Sequence, residues 1–220
     1  MNSLLIIEYI SFIVGLFCLR SLSPKYLRWI VLLLGLTVLN ESFIVPYIHI
    51  PRIYNRNTSY NIFSFFDMIT WYYVFYRMLL TSKIKIWILV TAVLVIGYSL
   101  VELCFIDNWM ILHTGSLRVY SLTIILLSIY YLYRLLCEKY HNLILDPLFY
   151  LCAACLIYQG LLFFNLTTEA TLTYWKLRYA VRFFHELQIT SNIFYYLLLC
   201  IAFLVCYYKY RMSNLPMFRK

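Results

Sequence analysis

The chain has 220 residues, 64% of them hydrophobic and 12% charged, with a mean hydropathy of +0.80 and a net charge of +9. Soluble domains are about 45–50% apolar and about 25% charged, so this much apolar surface does not fit inside one water-soluble core. An ordinary soluble enzyme is excluded, and the positive balance marks membrane ends and anionic lipid; no nucleic acid partner is expected, because no basic domain exists to hold one.

A span needs about 20 mostly apolar residues. Seven stretches fit, at about 3–19, 27–45, 59–80, 86–105, 117–137, 148–166 and 183–208. The first follows Met1-Asn-Ser with no basic leader and no small-residue cleavage site, so it reads as a retained span. A basic turn with Arg20 and Lys25 leads to the second, and Pro46 and Pro51 mark the loop after it. Lys83 and Lys85 open the fourth, and Asp107-Asn108-Trp109 opens the loop that follows it. The fifth ends on Tyr130, Tyr131, Tyr133 and Arg134, an aromatic and basic interfacial anchor. Residues 167–182 read as a mixed, amphipathic and basic loop, and residues 209–220 as a basic tail. The expected fold is an all-α integral membrane bundle over residues 1–208.

Lys and Arg gather on the cytoplasmic side of a membrane. Twelve of the eighteen fall on the side of the first turn and the C-terminal tail. That places the N-terminus outside and the C-terminus in the cytoplasm. The seven cysteines lie mostly in apolar runs, so no disulfide framework is expected. Cys152-Ala-Ala-Cys155 has redox spacing but sits on a span with no second pair, and reads as two small buried thiols.

The third stretch decides where function is sought. It carries Asn61 and Asp67 deep in an apolar run. A carboxylate there costs about 2.5–3.5 kcal/mol on insertion scales, so it needs a partner, a cavity or a proton. At about 100° per residue, Tyr60, Asn61, Ser64, Asp67 and Trp71 share one broad face. With the N-terminus outside, Asn40 and Glu41 lie near the outer end of the second span, and Gln159 is central in the sixth. His185, Gln188, Ser191, Asn192 and Tyr195 form a stripe in the outer half of the seventh, with Glu186 beside it. Glu8 and Glu102 lie toward the same side, where a plain interfacial place is equally open.

So many polar groups facing lipid would be costly. The expected site is an outward-facing acidic cavity of Asn40, Glu41, Asn61, Asp67, Gln159, His185, Glu186, Gln188 and Asn192. The other reading is interhelical hydrogen bonding that only holds the bundle together. No catalytic residue, metal or cofactor is expected. The seventh span has no mid-span lysine for a retinal Schiff base, and His49, His113, His141 and His185 make no metal-binding pair at helical spacing. No GxSxG elbow or phosphate loop occurs. A short echo relates Ser59-Tyr-Asn61-Ile-Phe to Ser191-Asn192-Ile-Phe and raises a layout of three spans, a linker span and three more.

Asn57 with Tyr60-Asn61 and an acid six residues on, Asp146-Pro-Leu-Phe-Tyr150, and Asn192-Ile-Phe-Tyr-Tyr-Leu together resemble a group of small seven-span proteins of Bacteroidota. This chain has Asp67 where that group usually has Glu and Tyr150 where it usually has Trp. It is also similar to the seven-helix input modules of bacterial sensor kinases, but carries no kinase. The resemblance implies a bacterial inner (plasma) membrane and seven spans, and no activity. The functional expectation is a small sensory or accessory protein. It would bind a small polar or cationic ligand in the cavity and signal to a separate cytoplasmic partner. A small-solute transporter or channel is the alternative, and a membrane-embedded metal hydrolase the third.

Overall fold

The computed structural model describes residues 3–44, 56–79, 82–106, 112–138, 140–175 and 178–213. His49, Pro46, Pro51, the 107–109 loop, Lys176 and the tail beyond residue 213 lie outside them. The described residues form seven α-helices and no strand. These are α1 (Ser3–Cys18), α2 (Arg28–Leu39), α3 (Arg56–Met78), α4 (Ser82–Val101), α5 (Thr114–Glu138), α6 (Pro147–Tyr174) and α7 (Arg178–Ser213). Short 3-10 turns at Lys25–Leu27 and Tyr140–Leu145 lead into α2 and α6. Wide π turns at Asn40–Ile44 and Glu102–Ile106 extend α2 and α4.

Local chemistry sets several ends. Pro147 opens α6, where its missing N–H costs nothing, and Asp146 caps the helix by accepting from the Leu148 N–H at 3.0 Å. Glu102 does the same for α5 from another helix. Its two carboxylate oxygens lie 2.8 Å from the Gly115 and Ser116 N–H groups, which are unpaired within a helix N-terminus.

Each helix packs on its neighbour in sequence, α7 closes against α1, and α3 reaches across to α5. The pairings fix direction. Tyr9 meets Ser42 while Gly15 meets Val31, so α1 and α2 are antiparallel. Glu41 meets Tyr60 while Trp29 meets Tyr73, so α2 and α3 are too. Asn61 meets His113 while Asp67 meets Tyr120, so α3 and α5 are parallel. Ser11 meets Tyr196 while Phe17 meets Tyr207, so α1 and α7 are parallel. The result is an up-and-down bundle.

Five helices, in α2 and α4 to α7, are long and apolar enough to cross a membrane. α1 is strongly apolar but has only 16 residues, and α3 has 23 residues but is the least apolar of the seven. α3 is nevertheless the most interior in character. Asn61, Ser64, Met68, Trp71, Phe75 and Met78 recur at helical spacing, and all are buried. α4 is the opposite case, with Ile86, Trp87, Leu89, Val93 and Leu94 all exposed on the bundle surface. An apolar surface of this kind suits a lipid environment.

One sequence expectation is corrected. Residues 167–182 are not a loop: α6 runs on to Tyr174 and α7 begins at Arg178. With 36 residues at 1.5 Å each, α7 is about 54 Å long, more than the roughly 40–45 Å of a whole bilayer. The apolar and polar periodicity of 167–182 is that of a helix whose first turns outrun the bundle.

Candidate functional site

The up-and-down topology brings the starts of α1, α3, α5 and α7 to the same end as the finishes of α2, α4 and α6. That end holds Glu8, Asn40, Glu41, Asn61, Glu102 and His113. Both π turns lie there and carry Asn40, Glu41 and Glu102. A π turn adds a residue to the helical turn and re-aims the side chains after it, a feature common at functional sites.

The outer layer is a collar of side-chain hydrogen bonds between helices. Ser59 donates to Asn40 Oδ1, and Tyr60 Oη donates to Glu41 at 2.7 Å. His113 is fully buried and acts as the hub. Its Nδ1 lies 2.6 Å from Asn61 Oδ1, so that nitrogen carries a proton and donates. In the neutral ring Nε2 then accepts from Ser64 Oγ at 2.8 Å. The Ser64 hydroxyl is also 2.7 Å from the Asn61 carbonyl oxygen, so its one proton serves two acceptors. Phe65 stacks on the imidazole with ring centroids 5.9 Å apart.

A second layer lies one to two turns deeper. Tyr120 Oη donates to Asp67 Oδ2 at 2.8 Å, and Ser121 donates to Gln159 at 2.8 Å. Aromatic rings enclose it. Trp71 is 6.4 Å from Tyr195, Tyr195 is 4.9 Å from Tyr158 and 5.1 Å from Tyr196, and Tyr72 is 5.9 Å from Tyr120. Each of these rings except Tyr158, which is half-buried, is buried.

A third group lies on the seam of α1 and α7. Glu8 is 3% exposed, and its Oε2 is buried with no hydrogen-bond partner. The Tyr196 hydroxyl sits beside it, and Glu41 lies within electrostatic range. Tyr158 is within electrostatic range of Glu8, Glu41 and Asp67 together. Among the described residues no Lys or Arg pairs with any of the three. On α7, Gln188 Oε1 and Asn192 Oδ1 are also buried without partners.

The structure therefore brings together Asn40, Glu41, Asn61, Asp67 and Gln159, with Gln188 and Asn192 on the adjoining seam. It leaves His185 and Glu186 out. Both are exposed: at that height α7 has passed the start of α1 and packs on α6 through Phe184, which meets Phe164 at 5.2 Å, while His185 and Glu186 lie off that contact. Three participants were not singled out from the sequence. His113 lies just before α5, where a sequence reading sees only a loop. Glu8 and Glu102 read equally well as interfacial acids until the helices around them are placed. The tyrosine spacing 195–196 on α7, facing Tyr158 on α6, was the available signal for the aromatic core.

No three His, Cys, Asp or Glu side chains come together as a metal-binding group among the described residues. All seven cysteines are free, with Cys152 and Cys155 both buried, as two small apolar thiols would be. No protein-family model, no curated protein and no solved structure matches this chain. The resemblance to small seven-span proteins of Bacteroidota is neither supported nor opposed by these comparisons.

Proposed function

We propose that the chain is a seven-span integral membrane protein of a bacterial inner membrane that binds a small polar ligand at the acidic end of its bundle. It acts as a sensory or accessory protein, passing the bound state to a separate cytoplasmic partner through its basic end. The observation that carries the reading is the gathering of Glu8, Glu41 and Asp67 around Tyr158, with no basic side chain paired to them. A carboxylate inside a membrane bundle is costly without a counter-charge, and such a group is by default a candidate binding site. The opposite end supplies the contrast. Arg77, Lys85, Arg134, Lys209 and Arg211 stand there at the helix ends, as cytoplasmic residues do.

α1 and α3 complete the seven crossings in this reading. α1 at about 24 Å is short of the roughly 30 Å hydrocarbon core, a mismatch that local thinning of the bilayer absorbs. α3 owes its low apolarity to groups that the bundle satisfies, such as Asn61 and Ser64.

Two native cysteines test the orientation. Cys104 is exposed at the acidic end and Cys137 at the basic end. Single-cysteine proteins keeping one or the other are treated in intact cells with a membrane-impermeant maleimide. Labelling of Cys104 alone is expected. Labelling of Cys137 alone turns the acidic end to the cytoplasm and removes the sensory role. The binding role is tested with Glu41→Gln and Asp67→Asn combined. The double variant should fold and lose the ligand response of the parent. An unchanged response sinks the site.

A further inference from the structure

Three buried side-chain oxygens have no donor: Glu8 Oε2 on α1, and Gln188 Oε1 and Asn192 Oδ1 on α7. The parallel register that pairs Ser11 with Tyr196 sets Glu8 level with the turn of α7 that holds Asn192, and Gln188 is one turn before it. Buried polar atoms are nearly always paired in folded proteins, so a set of unpaired acceptors in one place asks for a donor from elsewhere. The two amides can rotate to present N–H instead of oxygen, but a carboxylate oxygen cannot. Glu8 is 97% buried by its 3% exposure and remains an acceptor while ionised. The Tyr196 hydroxyl sits beside Glu8, and the Tyr196, Tyr195 and Tyr158 rings follow one another from there at 5.1 and 4.9 Å.

We infer that this seam is a binding site for a primary ammonium group, seated between Glu8, Asn192 and the Tyr158–Tyr195–Tyr196 rings. The inference rests on the ligand-binding role proposed above and names the chemical class of the ligand. An ammonium brings N–H donors for both Glu8 Oε2 and Asn192 Oδ1. Its charge offsets Glu8 and the neighbouring Glu41 in a region without lysine or arginine partners. The tyrosine rings add attraction to a cation that a neutral ligand would not receive. A quaternary ammonium satisfies the rings and the charge but donates no hydrogen bond. An alkali cation satisfies the oxygens but gains little from an aromatic rim.

The test uses the full chain in phosphatidylcholine nanodiscs, with equilibrium dialysis against empty discs to subtract partition into lipid. The probes are benzylammonium, benzyltrimethylammonium and benzyl alcohol at fixed ionic strength. Saturable binding of benzylammonium is expected, with the other two clearly weaker. Glu8→Gln should weaken benzylammonium by about tenfold or more, as loss of a buried charge partner does. Asn192→Leu should weaken it less, and Glu186→Gln, on the exposed face, should leave it unchanged. Tryptophan-fluorescence melting shows which variants remain folded. If Glu8→Gln unfolds, the Asn192→Leu result carries the test. Equal binding of benzyl alcohol, insensitive to Glu8→Gln, overturns the ammonium assignment and leaves a polar-ligand site standing. Displacement by sodium alone, or no saturable binding of benzylammonium, overturns the assignment too. The binding role is then still judged on the Glu41→Gln, Asp67→Asn double variant.

Discussion

At the end that carries Glu41 and His113, helices meet through side-chain hydrogen bonds. At the other end they meet through thiols, rings and branched chains, as Cys18, Leu22, Leu27, Phe203 and Cys206 do. The difference follows from the solvent. Between two helices in lipid, apolar contact brings no hydrophobic gain over contact with acyl chains, so the lower end depends on close packing. Gly15 lets it happen: a Cβ there would lie 3.1 Å from Val31 and 3.2 Å from Phe203. The polar end depends instead on direction, because a hydrogen bond fixes which residue faces which. One end supplies stability and the other supplies register.

The largest effect should come from emptying the packed end. Phe203 is 1% exposed and touches the point where α1, α2 and α7 converge. Phe203→Ala should cost about 3–5 kcal/mol, measured by unfolding in detergent. Overfilling the same contact is next. Gly15→Leu should cost about 1–3 kcal/mol, since Val31 and Phe203 must both give way. If Phe203→Ala costs less than the changes at the polar end described below, the division between the ends is wrong.

The polar end offers a sharper comparison at the His113 hub. Asn61→Leu removes the acceptor that the imidazole and the backbone N–H of residue 113 share, at a cost of about 1–3 kcal/mol. Asn61→Leu with His113→Phe removes the imidazole as well and should recover part of that loss, the part due to the ring and not to the backbone N–H. The same unfolding measurement decides it. A double variant no better than Asn61→Leu means that Ser64 and the His113 backbone hold the α3–α5 junction without the imidazole.

The sequence makes the helices legible because lipid demands long apolar runs: a described helix overlies each of the seven expected stretches, and five of them are long and apolar enough to cross a membrane. It makes Asp67 legible because a carboxylate in such a run stands out. Glu8 and His113 were not legible for a reason of depth. Near a helix end, an acid or a histidine reads equally well as facing water, and only the neighbours decide. Glu8 is enclosed by Tyr196 from a helix nearly two hundred residues away in sequence. His185 is the opposite case, an exposed side chain on a stripe that reads as interior. It shares a stripe with Ser191 and Tyr195, both buried, but the stripe runs past the end of α1. Periodicity tells which face a residue is on, and it does not tell how far the neighbouring helix extends.

The smallest expected effect lies between the two ends, where the division should blur. Ser121 donates to Gln159 at 2.8 Å, and both are buried. Ser121→Ala should cost only about 0.6 kcal/mol, the average for an interhelical hydrogen bond in a membrane, because Gln159 can turn to another partner. A cost near 2 kcal/mol would mean that Gln159 is held in one orientation. Gln159 directly follows Tyr158 on α6, and the Tyr158 ring is within electrostatic range of the three carboxylates. A rigid Gln159 would then be fixing the ring against which the proposed ammonium packs. Ser121→Ala would be expected to weaken benzylammonium binding while leaving the fold intact. With the smaller cost, the bond is ordinary bundle packing and binding is untouched.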